Sequence, residues 1–267
     1  MPELPEVETI ARALKPELVG RTILTADLRW ARTLATPSPA QFKKQIAGQE
    51  IVDVSRRAKY LVIHLKTYSF LVHLRMSGDL VIRAGKIKTE KHDRLLLHLS
   101  DHNYLAFNDT RKFGRVWLTD QPEKILGKLG PEPLGNEFTA GWLFENLHQR
   151  KRSLKPLLLD QTFLAGLGNI YTDECLHIAK LHPLALSHTV TRIQAGALYK
   201  AIRTVLEEGI RRNGASIDWV YRGGDFQNYF RVYGRDGSRC PVCGATILKF
   251  TVGQRGTHVC PNCQRLR

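Results

Sequence analysis

Apolar residues at Leu4, Val7, Ile10 and Leu14 recur at three- and four-residue spacings, which predicts an opening helix with Pro5 tolerated in its first turn. Glu3 and Glu6 then share one face near the helix N-terminus, where unpaired backbone donors favour carboxylates. After Gly20 the pattern breaks into short runs of β-formers: Ile23 to Leu28, Ile51 to Val54, Tyr60 to Leu65, Phe70 to Leu74, Leu95 to Leu99, Tyr104 to Phe107 and Val116 to Leu118. Seven or eight such strands predict a sandwich or barrel-like β domain. The Pro- and Gly-rich GPEPLG at 130–135 reads as a linker. Beyond it the period is helical, over 139–149, 153–160, 169–179 and 190–212. The turn QTFLAGLG brings Gly168 and Asn169 to the start of a helix. There the backbone donors can receive a phosphate, or the glycines serve only the close packing of a helical hairpin.

Composition narrows the partner. The chain of 267 residues carries 40 Lys and Arg against 25 Asp and Glu, a net charge of +15, and is 43% hydrophobic. It is therefore globular, and a polyanion is the favoured partner, although a basic solvated surface gives the same balance. The excess is shared between the two sides of Gly130 and is densest from residue 231 onward, so it is not a basic tail. There is no run of eighteen apolar residues, and MPELPEVE is acidic where a secretory signal is basic and then apolar, which predicts a cytosolic protein with no membrane partner.

Four of the five cysteines lie in CPVC (Cys240, Cys243) and CPNC (Cys260, Cys263), an arrangement that suits two turns on a β-hairpin converging on one tetrahedral Zn²⁺. Such a site is closed and structural. Two disulfides, or unliganded thiols, are the competing readings. Between the knuckles GQRGTH puts Arg255 at a hairpin tip, where it suits a nucleic-acid groove. Cys175 stands alone in a helix.

Removal of Met1 exposes Pro2 as a secondary amine with an α-amino pKa of about 8, a nucleophile able to form an iminium with a sugar C1′. Taken alone, Pro at position 2 is an accident of translation starts. Glu3 and Glu6 beside it change that, because they are available to manage protons at the sugar, although Glu6 also fits simple charge stabilisation of the helix.

PELPEVE at 2–8 resembles the start of bacterial formamidopyrimidine-DNA glycosylases. RRAKYL (56–61), HLRMSG (73–78), EKHD (90–93), RKFG (111–114), LGPEPL (129–134), GLGNIYTDE (166–174), VYGR (232–235) and the finger follow in the family's order, over essentially the whole chain. The resemblance implies an α+β multidomain fold: an N-terminal β-sandwich with a catalytic N-terminal helix over 1–130, a helical helix-two-turns-helix domain over 131–236, and a zinc finger over 237–267. It implies a bifunctional base-excision repair enzyme, monomeric and bacterial, at the nucleoid. Such an enzyme excises oxidised purines (8-oxoguanine, formamidopyrimidines) from double-stranded DNA and nicks abasic sites by β,δ-elimination.

Carried over by residue, Pro2 is the Schiff-base nucleophile, Glu3 the proton donor at the sugar, and Lys59 the proton donor or phosphate partner in β-elimination. Arg255 assists δ-elimination. His73, His92, Arg150, Lys155 and Asn169 hold phosphates, and Met76, Arg111 and Phe113 fill the gap left by an extruded nucleotide, since a stacked nucleotide must rotate out before its glycosidic carbon is reached. The bland alternatives are inward-packed Met76 and Phe113, core histidines at 73 and 92 and a solvated Lys59. Ser216 to Arg231 falls where the family's lesion-covering loop stands. Two rivals remain: an endonuclease VIII type of relative acting on oxidised pyrimidines, and a non-catalytic zinc-finger protein that binds damaged DNA without needing Pro2, Glu3 and Lys59.

Overall fold

The computed structural model describes residues 1–85, 89–216 and 223–266. They fall into two compact units, one of Met1–Lys128 together with Ser216 and the other of Leu129–Ala215 and the residues from Gly223 on, the first division falling just before the expected linker.

The first unit opens on α1 (Leu4–Leu18) and continues through β1 (Ile23–Leu28), β2 (Leu34–Thr36), α2 (Pro39–Ile46), β3 (Ile51–Arg57), β4 (Tyr60–Leu65), β5 (Ser69–His73), β6 (Gly78–Arg83), β7 (Asp93–Leu99), β8 (Tyr104–Asp109), β9 (Arg115–Thr119) and the one-turn α3 (Glu123–Leu126). Two sheets form, ordered β1-β7-β8-β6 and β2-β9-β5-β4-β3. Alternate residues of both, among them Leu61, Ile63, Leu95, Leu97, Leu105 and Phe107, meet in one core with Val7, Leu14 and Leu18 of α1. This is the period-two logic of a sandwich, in which one face of each sheet turns inward. All seven expected strands form, whereas β2, β6, α2 and the single turn of α3 were not expected. The signal for α2 was present in SPAQF, because Ser38 and Gln41 make a capping box and Phe42 and Ile46 are one turn apart and fully buried.

The second unit contains α4 (Ala140–His148), α5 (Leu154–Leu158), α6 (Asn169–Ile178), α7 (Arg192–Arg211), and the hairpin of β10 (Leu248–Val252) and β11 (Arg255–Val259). The helical region and the cysteine hairpin share this unit, with α6 packed on β11. Residues Ile170 through His177 of α6 are all buried, so the helix lies inside the unit and lacks a solvent face. Cys175 is part of that packing, with Sγ 3.8 Å from the Ala201 carbonyl on α7.

Candidate functional site

The start of α1 is enclosed. Pro2 is buried, and Glu3 and Glu6 are each 2% exposed, while Met1 is 38% exposed. Glu6 Oε2 accepts the Glu3 backbone N–H at 2.8 Å, so Glu6 caps the helix. Glu3 is the N-cap residue itself, in extended conformation. From the next turn Glu8 accepts Arg56 Nε at 2.9 Å, and Arg56 Nη1 donates to the Ala58 carbonyl at 3.2 Å. These bonds join α1 to the two-residue loop Ala58-Lys59 between the paired Arg57 and Tyr60. Ala58 holds φ +52°, a conformation that favours glycine, and Lys59 is only 5% exposed. The bland reading of Lys59 as a solvated charge therefore fails.

His73 lies across the sheet from Tyr60. Burial, reinforced by the charges of Arg75 and Lys59, pushes its imidazole down to about 3. Its Nδ1 accepts the Arg75 backbone N–H at 3.1 Å, which leaves the ring proton on Nε2. His92, half-buried, receives Arg94 Nη2 on Nδ1 at 3.2 Å and carries its proton the same way. Arg94 can only donate, which fixes that direction. The neutral His73 ring, with its proton on Nε2, can donate one N–H bond without adding positive charge.

Met76 is 40% exposed and Phe113 50% exposed, so both turn outward, against the default that strand-end apolar residues pack inward. One residue organises both loops. Asp109 is fully buried; one oxygen accepts Ser77 Oγ and the Arg111 N–H, and the other accepts the Gly114 N–H at 2.7 Å. A Cβ at Gly114 would stand 2.3 Å from the Phe107 ring, so only glycine lets the loop return over the sheet. The Arg111 guanidinium lies over the Phe113 ring at 5.1 Å, making one exposed planar patch. Asp109 was not singled out from sequence; its signal was a carboxylate closing β8 in alternation with the core residues Leu105 and Phe107.

In the second unit Arg255 is exposed at the hairpin tip, where Gly253 and Gln254 take φ +54° and +62° as a two-residue turn between antiparallel strands requires. The tip is tied down from below. Lys155 Nζ donates to Asp173 Oδ1 at 2.6 Å and to the Gly256 carbonyl at 2.9 Å, and Asn169 Nδ2 donates to that same carbonyl at 2.9 Å. The expectation that Lys155 holds phosphate is thereby corrected: its side chain is 0% exposed and its charge is spent on a buried pair. Asn169, half-buried at the α6 N-terminus, keeps Oδ1 without a partner among the described residues. Arg150 bonds the Asn146 carbonyl at 2.8 Å and lies over the Phe163 ring at 5.0 Å. Asp173 also accepts the His258 N–H at 2.9 Å, and Glu174 accepts three backbone N–H groups of Arg231, Val232 and Tyr233 at 2.9–3.0 Å. Burial raises the Glu174 carboxyl above its ordinary range against the pull of those bonds. Neither acid was singled out from sequence, although an Asp-Glu pair inside a buried helix demands partners.

The cysteine hairpin suits a metal. Cys243 and Cys260 sulfurs are 3.4 Å apart and those of Cys240 and Cys263 4.0 Å. These bracket the separation of about 3.8 Å that Zn–S bonds of about 2.3 Å impose on a tetrahedron. Backbone N–H groups of Val242 and Cys263 reach the Cys240 and Cys260 sulfurs at 3.5 Å, as thiolates in a knuckle require. His177, also unremarked in the sequence, adds a fifth donor 3.4 Å from Cys240 Sγ. The donors fit one structural Zn²⁺. Residues 217–222 of the expected lesion-covering loop lie outside the described residues. No helix among the described residues is long and apolar enough to cross a membrane.

Residues 1–116 match the formamidopyrimidine-DNA glycosylase N-terminal domain, 129–220 the H2TH domain of the same family, and 237–266 the zinc finger found in FPG and IleRS. The formamidopyrimidine-DNA glycosylase of Pelotomaculum thermopropionicum is 44% identical over the whole of both chains. That of Chloroflexus aurantiacus is 45% identical, with 99% of this chain and 98% of that one aligned. Among solved structures, Lactococcus lactis Fpg in complex with an abasic-site-containing DNA superposes with a TM-score of 0.93 at 39% identity, covering 99% of this chain and 100% of that one. A point mutant of the same protein with a Fapy-dG-containing DNA superposes equally well. The three domain matches in order, with relatives 44% and 45% identical over essentially the full length of both chains, place this chain in the formamidopyrimidine-DNA glycosylase family.

Proposed function

We propose that the protein is a monomeric, cytoplasmic, chromosome-bound base-excision repair enzyme that removes 8-oxoguanine and formamidopyrimidines from duplex DNA and then cuts the strand. The observation that carries this reading is the enclosed start of α1: Pro2 and Glu3 are buried together, and Glu8 through Arg56 ties their helix to the Lys59 turn. With Met1 removed, the Pro2 amine attacks C1′ while Glu3 protonates the sugar ring oxygen. The base departs with the bonding pair, the amine loses its proton, and the C1′–O4′ bond then breaks with its electrons going to the protonated ring oxygen, which opens the sugar and leaves a Pro2–C1′ iminium. Loss of a C2′ proton then expels the 3′ phosphate, with Lys59 as proton donor or phosphate partner, and a second elimination assisted by Arg255 expels the 5′ phosphate.

His73, His92, Arg150 and Asn169 are assigned to phosphates, and Met76, Arg111 and Phe113 to the space left by the extruded nucleotide. Lys155 acts beneath the contact surface, fixing the Gly256 carbonyl beside Arg255. Zn²⁺ held by Cys240, Cys243, Cys260 and Cys263 supplies only rigidity, keeping the hairpin tip in one place. Excision from duplexes containing 8-oxoguanine opposite cytosine or thymine glycol tests the reading. Faster release of 8-oxoguanine with nicking is expected, and preference for thymine glycol, or binding without nicking, contradicts it.

A further inference from the structure

The finger holds more donors than zinc takes. His177, in the last turn of α6, places Nε2 3.4 Å from Cys240 Sγ, and its ring nitrogen and the Cys240, Cys260 and Cys263 sulfurs all lie within 4.8 Å of one another. Imidazole and thiolate bonds of about 2.1 and 2.3 Å on a tetrahedral ion correspond to nitrogen–sulfur separations of about 3.6 Å. His177 therefore already stands at ligand distance from one sulfur and needs only a small shift toward the others. The remaining thiolate, Cys243, differs from its partners: it is exposed, whereas Cys240 and Cys260 are buried and Cys263 is half-buried. His177 is 2% exposed, on the buried helix α6.

The ring's other nitrogen explains why His177 waits. Nδ1 is buried and has no partner among the described residues, so a proton there would be an unsatisfied donor. The proton accordingly sits on Nε2, aimed at the Cys240 sulfur. Ligation through Nε2 requires moving that proton to Nδ1, where nothing accepts it, and four thiolates win while all four are present. Removing one changes the balance, because an open position on Zn²⁺ then gains a ligand at the cost of one unsatisfied N–H. We propose that His177 is a reserve zinc ligand that takes the place of Cys243, converting a four-thiolate site into one of three thiolates and an imidazole. The proposal rests on the four-cysteine reading of the finger.

The test uses full-length chains carrying Cys243→Ala, His177→Phe or both, read by zinc stoichiometry and the visible spectrum of the cobalt form. Wild type and His177→Phe are expected to give the same four-thiolate spectrum. Cys243→Ala should retain one metal per chain, lose about a quarter of its thiolate charge-transfer intensity, keep tetrahedral band strength, and show imidazole scattering in X-ray absorption. The double variant should bind zinc at least about tenfold more weakly than Cys243→Ala. Equal affinity of the single and double variants overturns the proposal, as does complete metal loss in Cys243→Ala. Loss of metal in His177→Phe alone overturns it too, by making the imidazole part of the intact site. A wild-type chain without metal would instead overturn the finger assignment itself.

Discussion

Up to Lys128, the chain buries alternating Leu, Ile and Val side chains between two sheets, and the loops carrying Met76 and Phe113 hang from a single enclosed carboxylate, Asp109. From Leu129 on, α6 buries Asp173 and Glu174 outright and satisfies them with Lys155, His258 and the backbone of Arg231 to Tyr233. The first unit is specified by the period of its apolar residues. The second is specified by polar groups whose partners are far away in sequence: Lys155 and Gly256 are 101 positions apart. A sheet core tolerates conservative apolar exchange, whereas a buried charge network tolerates little, since removing one partner strands the other.

The largest expected effect breaks the second unit's network. Lys155→Met leaves Asp173 with His258 alone among the described residues and should cost about 3–5 kcal/mol in urea unfolding, with salt-dependent DNA binding weakened through the hairpin tip. A loss below about 1 kcal/mol would mean that this pair adds little, as exposed pairs do.

Acid should act through the first unit. His73 is neutral in the fold with its pKa pushed to about 3, so below its ordinary value of about 6.5 the unfolded chain takes up a proton that the folded chain refuses. Stability falls as pH falls from that value toward 3, by about 2 kcal/mol between pH 7 and 5, and His73→Phe should flatten this part of the profile. An unchanged slope in the variant would place the acid sensitivity elsewhere.

The smallest effect sharpens the comparison. Asp109→Ala should cost about 1–2 kcal/mol in stability, because the freed Ser77 and Arg111 donors are only part-buried and the Gly114 N–H alone is left enclosed, yet lower lesion excision disproportionately by loosening Arg111 and Phe113 together. Equal loss of stability and excision would show that Asp109 serves only the fold.

The sequence made the first unit readable because strand periodicity is local: the seven expected strands form, and β6 and α2 were missed where short apolar runs lay among charges. Ordered motifs marked Pro2, Glu3, Lys59 and the cysteines. What they did not show is depth. Lys155 reads as one more basic residue and becomes a buried tie, and Asp109, Asp173 and His177 carry weight only through contacts distant in the chain. Conversely Met76 and Phe113, apolar by type, stand exposed because their loops are held by a carboxylate the periodicity ignores.

Borohydride reduction of the protein on 8-oxoguanine duplex DNA tests the central claim most directly. The expected result is a covalent protein–DNA adduct attached at Pro2, formed only by chains that have lost Met1 and abolished when the Pro2 amine is blocked. No adduct, or an undiminished adduct with that amine blocked, would contradict it.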